Sequence, residues 1–321
     1  MSSLSNLPYG KIIDYWYEKL KKKPYRNKFL MSKVLEIYSF KKNSFDTRKL
    51  SKLSYKSFPK QEENNISYKS KISLVVPVYV KSNKDLEKLN LLFNSINKLK
   101  EKPNKIFIID DCSPTKYNVP TNVTFIQLEK NSGPAKARNF GIKLSLKENS
   151  DIIAFTDSDC ILDTNWISTI KKGFIENKTY NILSGKVMSY DKNWFGEYHE
   201  INGTLNGRIL KDEDKLLYGT TANLAITNLV ASKIKFNEEF PLAAGEDIEF
   251  CFKANMNGFA IKHIPEMIIY HNFGYNGNTL KNIKEFMKLF SKYGKGEKIL
   301  IEKIPNYYEY FNRTIEIPSK R

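Results

Sequence analysis

No apolar run in the 321-residue chain approaches the 18 or more residues needed to cross a bilayer, so a membrane-spanning helix is not expected. Cysteine is scarce. Cys112, Cys160 and Cys251 are widely spaced and odd in number, which argues against a disulfide framework or a zinc cluster and makes a reducing cytoplasm the expected compartment. The opening stretch "MSSLSNLPYGKIIDYWYEKL" lacks the uninterrupted apolar core of a secretory signal. No zinc-finger, helix-turn-helix or RNA-binding signature is present, so no specific nucleic-acid partner is expected. There is no internal repeat.

What is present describes a globular protein, with 41% apolar and 27% charged residues in one large domain or two ordinary ones. The net charge of +17 is unevenly spread, because residues 1–70 hold sixteen Lys/Arg against six Asp/Glu. A basic flank suits nucleic acid, an anionic membrane face or plain solubility. "IIDYWYEKLKKK" puts Ile12, Ile13, Trp16, Tyr17 and Leu20 near one helical face with lysines at its end. That pattern fits peripheral contact with an anionic membrane surface, and equally an amphipathic helix packed on its own domain.

Three segments follow from the patterning: a basic, mainly helical extension and linker over 1–70, a central domain over 71–275 and a helical C-terminal extension over 276–321. In the central part "KISLVVPVYV" (71–80), "KIFIIDDCS" (105–113), "NVTFIQLE" (122–129) and "DIIAFTDSD" (151–159) read as buried strands. Helices are expected at 86–100 and 133–146 between them, which implies an α/β fold with a mostly parallel sheet covered on both faces. Further on, 164–177 reads as helix, 180–190 as strand, 191–217 as a long polar and aromatic loop, and 218–227 as strand. A helix at 245–259, a strand at 260–272 ending in His271 and a basic amphipathic helix at 280–294 complete the reading.

Ligands of such sheets bind beyond the carboxyl ends of the strands. Two acidic clusters fall there, Asp110-Asp111 and Asp157-Ser158-Asp159. Asp-x-Asp at a strand tip suits a hard divalent cation, which is held by one or two carboxylates plus substrate phosphates. The pattern alone is weak, since Asp212-Glu213-Asp214 also fits it within a charged stretch that reads as a solvated loop.

"VVPVYV", "IIDDCS", "NSGPAKARNFGI", "FTDSDC", "GTTANLAI" and "GEDIEF", in that order over residues 72–273, resemble the motifs of inverting nucleotide-sugar-dependent glycosyltransferases of the GT-A fold, family 2. The resemblance implies a Rossmann-like sheet and a nucleotide-sugar donor, with UDP as the expected nucleotide. Pro77 and Tyr79 then seat the base, Tyr79 by stacking, or else are simple turn residues. Asp111 matches the acid that accepts from the base. Lys136 and Arg138 could approach the diphosphate near a helix start, or be ordinary surface charge. Asp157 matches the acid at the ribose or metal, and Asp159 the direct ligand of Mn²⁺ or Mg²⁺. Many relatives carry a further acid where this chain has Cys160, so His271 is the candidate for the missing ligand, with a structural role as its alternative.

Asp247 matches the catalytic base, which removes the acceptor hydroxyl's proton. Glu246 is expected to hold the acceptor or orient Asp247. Gly219 and Asn223 match a wall around the donor sugar or acceptor. The Gln/Arg-x-x-Arg-Trp motif of processive synthases is missing, so a single addition is expected, to a glycan, glycolipid or protein acceptor in surface-glycan assembly. Two rival readings stand beside this one. A sugar-1-phosphate nucleotidyltransferase would need a glycine-rich loop after the first strand, and "VPVYVKSNKD" has no glycine. A non-catalytic sugar-nucleotide binder would not need Asp157, Asp159 and Asp247 together.

Overall fold

The structure is a computed structural model that describes residues 30–41, 56–59, 62–211, 213–276 and 279–319. The amphipathic stretch expected to meet a membrane lies outside those residues. No described helix is long and apolar enough to cross a membrane.

The expected sheet is present, with eight strands. β1 (Ile72–Val78) lies at its centre and pairs in parallel with β2 (Lys105–Asp110) on one side and β4 (Ile152–Phe155) on the other. β1 is buried on both faces, as an unbroken apolar run requires. Leu74, Val76 and Val78 enter one core layer with Leu89, Leu92, Trp166 and Phe174. Val75 enters the opposite layer with Ala135, Ile142 and Phe250. Helix α2 (Asn83–Lys98) and a helix over Trp166–Glu176 therefore cover one face, and α3 (Pro134–Lys147) covers the other.

Two expectations are corrected. β3 (Thr124–Gln127) is not a buried strand but the sheet's exposed edge, with Phe125 40% accessible. Its apolar residues resemble those of an interior strand, and only its place at the end of the order tells them apart. The stretch 191–217 is not a loop either. It holds a helix at Trp194–Asn202 and two strands, Arg208–Leu210 and Leu216–Tyr218. Asn193 caps that helix by accepting from the Phe195 and Gly196 amides, and Gly203 ends it in the left-handed region. Phe195, Tyr198 and His199 supply the buried face that the polar composition masks.

One reversed strand shapes the ligand edge. β9 (Leu224–Thr227) runs antiparallel to β4 and to β6 (Ile182–Ser189). It therefore delivers its beginning, not its end, to the edge where β1, β2 and β4 finish. The turn Thr220–Ala222 reaches the acidic loop in this way, and Thr156 Oγ1 donates to the Ala222 carbonyl at 3.0 Å. β10 (Ile261–His271) lies parallel to β6, and β5 (Cys160–Leu162) closes the sheet antiparallel to β10.

The terminal helices α1 (Leu30–Lys41) and α8 (Thr279–Lys303) pack on this edge; the numbering counts the helices over 166–176, 194–202, Asn228–Lys233 and Glu246–Met256 as α4 to α7. α8 approaches its neighbours through two glycines. A Cβ on Gly294 would lie 2.2 Å from the Phe40 carbonyl oxygen, and one on Gly296 would lie 2.2 Å from that of Ala244. Gly296→Ala is accordingly expected to destabilise the fold by about 1–3 kcal/mol, the usual range for overpacking against atoms that cannot yield. Urea unfolding reads this directly, and an unchanged midpoint would show the contact to be looser than described.

Candidate active site

Arg138 lies in the second turn of α3, and the start of that helix is set by Asp111. The Asp111 carboxylate accepts the Ser132 and Gly133 amides at 2.7 and 2.8 Å, and Gly133 supplies the positive φ that admits the chain to the helix. The Arg138 side chain is 1% exposed. Its Nη1 donates to Glu246 Oε1 and its Nη2 to Asp157 Oδ1, both at 2.8 Å. Burial opposes the charge of this guanidinium, yet Asp157 and Glu246 outweigh that effect and hold its pKa above the ordinary value. Arg138 is therefore not surface charge, and it lines the cleft that the acidic loop borders. It joins the acidic loop to the helix that carries Asp247.

That helix, α7 (Glu246–Met256), begins at Gly245 with φ of 91° and carries Glu246, Asp247 and Glu249 in its first turn, where the helix dipole favours negative charge. Glu246 is 2% exposed, with one oxygen on Arg138 and the other buried without a hydrogen-bond partner. It is the buried counter-ion of Arg138 rather than a group offered to an acceptor. Asp247 is half-buried and opens on the cleft, its Oδ1 accepting the Ile248 amide at 2.9 Å. Burial and then the neighbouring Glu246 push its pKa up to about 7, against the opposing pull of Arg138.

Asp159 and His271 are brought together by strand pairing. Cys160 stands opposite His271 in the β5–β10 ladder, which puts the preceding aspartate beside the ring. His271 Nε2 lies 3.3 Å from Asp159 Oδ1, and Lys88 Nζ lies 3.5 Å from Asp159 Oδ2. Burial raises the Asp159 pKa, but His271, Lys88 and Lys292 prevail and the net shift is downward. Burial lowers that of His271 against the pull of Asp159, so the ring is neutral near pH 7 and offers a lone pair. Its Nδ1 is buried without a hydrogen-bond partner. The Cys160 sulfur lies within 4.8 Å of both ligand atoms, yet burial and then Asp159 raise its pKa well above the ordinary thiol value. One carboxylate, one neutral imidazole and a protonated thiol fit a hard divalent cation only as a partial seat, to be completed by substrate oxygens.

Asp111, Asp157, Ser158, Asp159, Asp247 and His271 all line one cleft of about 1200 Å³. Pro77 and Tyr79 line it too, with the Tyr79 ring 38% exposed and the Lys81 ammonium 5.7 Å from its centre. Asp110 does not. It is fully buried and accepts the Ser113 amide, the Tyr117 hydroxyl and the Gln127 amide, pinning the loop after β2.

Three other expected residues stand away from the cleft. Asn223 is fully buried with its amide committed, donating to the Lys186 and Met267 carbonyls and accepting from the Trp166 indole at 2.8 Å. Gly219 is a close approach to Ser184, where a Cβ would meet the serine Cβ at 2.5 Å. Thr220, Thr221 and Ala222 line the cleft in their place. Lys136 is half-buried in the first turn of α3 and is not a lining residue. In the second acidic stretch Glu213 is bound to Lys215 and Asp214 to Lys262, and neither lines the cleft.

Sequence reasoning missed the far wall. Lys292 and Tyr293 of α8 line the cleft, and Tyr293 has its hydroxyl pKa raised by burial and then by Asp247, Asp159 and Asp157. Tyr307, Tyr308 and Phe311, in the short helix α9 (Tyr307–Phe311), line it beyond Asp247. No motif flags these positions. The signal that was available is the pair Gly294 and Gly296 inside a helical pattern, which marks a close backbone approach.

The sequence profile of glycosyl transferase family 2 matches residues 73–238. The dTDP-rhamnosyl transferase RfbF of Shigella flexneri is 24% identical over 217 residues, which span 63% of this chain and 70% of that protein. The crystal structure of S. aureus TarS aligns with a TM-score of 0.50 at 21% identity, over 76% of this chain and 43% of the TarS chain. A structure of S. aureus TarS 1-349 with UDP-GlcNAc aligns over 75% of this chain and 73% of that one, at 20% identity and a TM-score of 0.49. This chain thus spans less than half of the longer TarS chain. The likeness establishes the fold, which is the expected GT-A arrangement.

Two outcomes follow from the charge arrangement. Arg138→Leu leaves buried Glu246 and half-buried Asp157 without their cation and is expected to cost about 3–5 kcal/mol of stability, read by chemical unfolding. Asp247→Asn is expected to do the opposite. A carboxyl raised from 3.8 to about 7 binds its proton more tightly in the folded chain, so ionising it opposes folding. The melting temperature of the Asn variant should climb relative to wild type between those two values and level off above them. A constant difference across that range would contradict the raised pKa.

Proposed function

Because the chain belongs to glycosyl transferase family 2, we propose that it moves a single sugar from a pyrimidine nucleotide-sugar to an acceptor hydroxyl, with inversion at the anomeric carbon. The observation that carries this reading is the shared cleft, which Asp111, Asp157, Asp159 and Asp247 all line.

The donor's base stacks on Tyr79 and hydrogen-bonds to Asp111, while Asp157 and Asp159 lie along the ribose and diphosphate. Asp159 and His271 would hold a divalent cation, Mn²⁺ or Mg²⁺, which supplies Lewis-acid neutralisation of the departing diphosphate. Asp247 accepts the proton of the acceptor hydroxyl as its oxygen attacks the anomeric carbon. The bond from that carbon to the diphosphate oxygen breaks, and its electron pair leaves with the nucleoside diphosphate. A carboxylate with pKa near 7 is a stronger base than an ordinary aspartate and is still ionised in a large fraction at neutral pH.

The acceptor is a glycan, glycolipid or protein hydroxyl, in keeping with assembly of bacterial-type surface glycans. The basic flank over residues 1–70 supports peripheral contact with an anionic membrane at the inner face. UDP is the nucleotide expected from the resemblance, and the relative named a dTDP-rhamnosyl transferase favours dTDP as the second reading. The two differ at the ribose 2′ hydroxyl and the base methyl.

Calorimetric titration with UDP-sugars and dTDP-sugars, in Mn²⁺ and in EDTA, separates these readings. Asp159→Ala is expected to weaken donor binding in Mn²⁺ to the level seen in EDTA, and full turnover in EDTA would remove the metal from the scheme. Asp247→Asn is expected to abolish transfer while leaving donor binding nearly intact. Since the base must be ionised, kcat/KM of the wild type should rise with pH through about 7. Lost binding with retained turnover in the Asn variant would overturn the assignment.

A further inference from the structure

Of the cations around the donor side of the cleft most are already committed, and Lys81 stands over the Tyr79 ring. Arg138 is held by Asp157 and Glu246, Lys88 by Asp159, and Lys84 donates to the Gly274 carbonyl at 2.7 Å. Lys288, one turn earlier on α8, pairs with Glu285 at 3.1 Å. Lys292 is uncommitted. It lines the cleft together with Asp159 and His271, and among the described residues it makes no ion pair; its ammonium lies 5.6 Å from the adjacent Tyr293 ring. Its charge is felt at both Asp159 and His271.

The surroundings fix where this lysine stands. Gly294 and Gly296 press the same stretch of α8 against the backbones of Phe40 and Ala244, so the helix is held against the loop that leads into Asp247. On the opposite side the candidate metal seat groups a single carboxylate, from Asp159, with the His271 imidazole and the Cys160 thiol. A seat with one carboxylate grips a cation less firmly than one with two. The diphosphate gains a further negative charge as the sugar leaves, and a preorganised ammonium aimed at that charge stabilises it.

We infer that Lys292 contacts the donor's diphosphate and carries part of the leaving-group charge, as a cation contributed by a helix outside the region of family similarity. This rests on the nucleotide-sugar reading above and adds a residue to it.

Calorimetry with UDP and saturation-transfer NMR with uridine test the assignment, using wild type, Lys292→Met and Lys292→Arg in the presence of Mn²⁺. Lys298→Met, at an exposed position on the same helix, is the control. UDP affinity is expected to fall about tenfold in the Met variant, or ~1.4 kcal/mol, in line with the loss of one charge-assisted contact. Uridine binding should be unchanged, because uridine has no phosphate. The Arg variant, which keeps the charge, should retain most of the affinity, and the control all of it. Equal UDP affinity in wild type and Lys292→Met overturns the inference. So does parallel loss of UDP and uridine, which would mark a packing role. A folded wild type that binds neither UDP nor dTDP would instead sink the parent reading, and this one with it.

Discussion

Arg138 holds the site together. Its guanidinium is buried with one carboxylate from the β4–β5 loop and another from the first residue of α7. These two elements are far apart in sequence, and the triad is the charged contact that ties them directly. The arrangement also explains why two adjacent acids at one helix start behave differently. Glu246 takes the guanidinium, while Asp247 receives the repulsion of Glu246 with only a share of the compensating charge. Its elevated pKa comes first from burial and then from that division.

The strands and the motif residues at their tips were legible in the sequence because each depends on local patterning. Unbroken apolar runs give strands buried on both faces, and acids that end such runs fall at the ligand edge. The link between Asp159 and His271 was legible only through resemblance, since it comes from the register of β5 on β10. The Arg138 triad was not legible for a related reason. Nothing near it in sequence distinguishes a buried triad from a surface arginine; the partner that decides is Glu246, 108 residues away. Asn223 and Gly219 lie in a motif that borders the cleft, but their buried contacts with Trp166 and Ser184 account for their side-chain types. The helix at 194–202 escaped notice because its apolar face is short and aromatic in a polar setting.

The same division separates the two sides of the cleft. Pro77, Tyr79, Asp111, Asp157 and Asp159 come from the part that matches the family profile, up to residue 238, whereas His271 and Lys292 do not. Asp247 lies just past it, and the wall beyond is built by α8, α9 and the strands around 208–218. A donor common to many enzymes needs a shared seat, whereas acceptors differ. The aromatic side chains of Tyr307, Tyr308 and Phe311 give that wall broad apolar faces with polar rims.

The two glycines of α8 have a consequence for how the cleft can move. A helix packed through side chains can slide or roll by fractions of a turn as rotamers readjust. One packed through bare backbone on two opposite sides has no such slack. Any roll of α8 would drive a neighbouring residue's Cβ toward the carbonyl of Phe40 or Ala244. The jaw that carries Lys292 and Tyr293 is thus indexed to the start of α7 like one arm of a caliper, and the gap between them is set at folding rather than at binding.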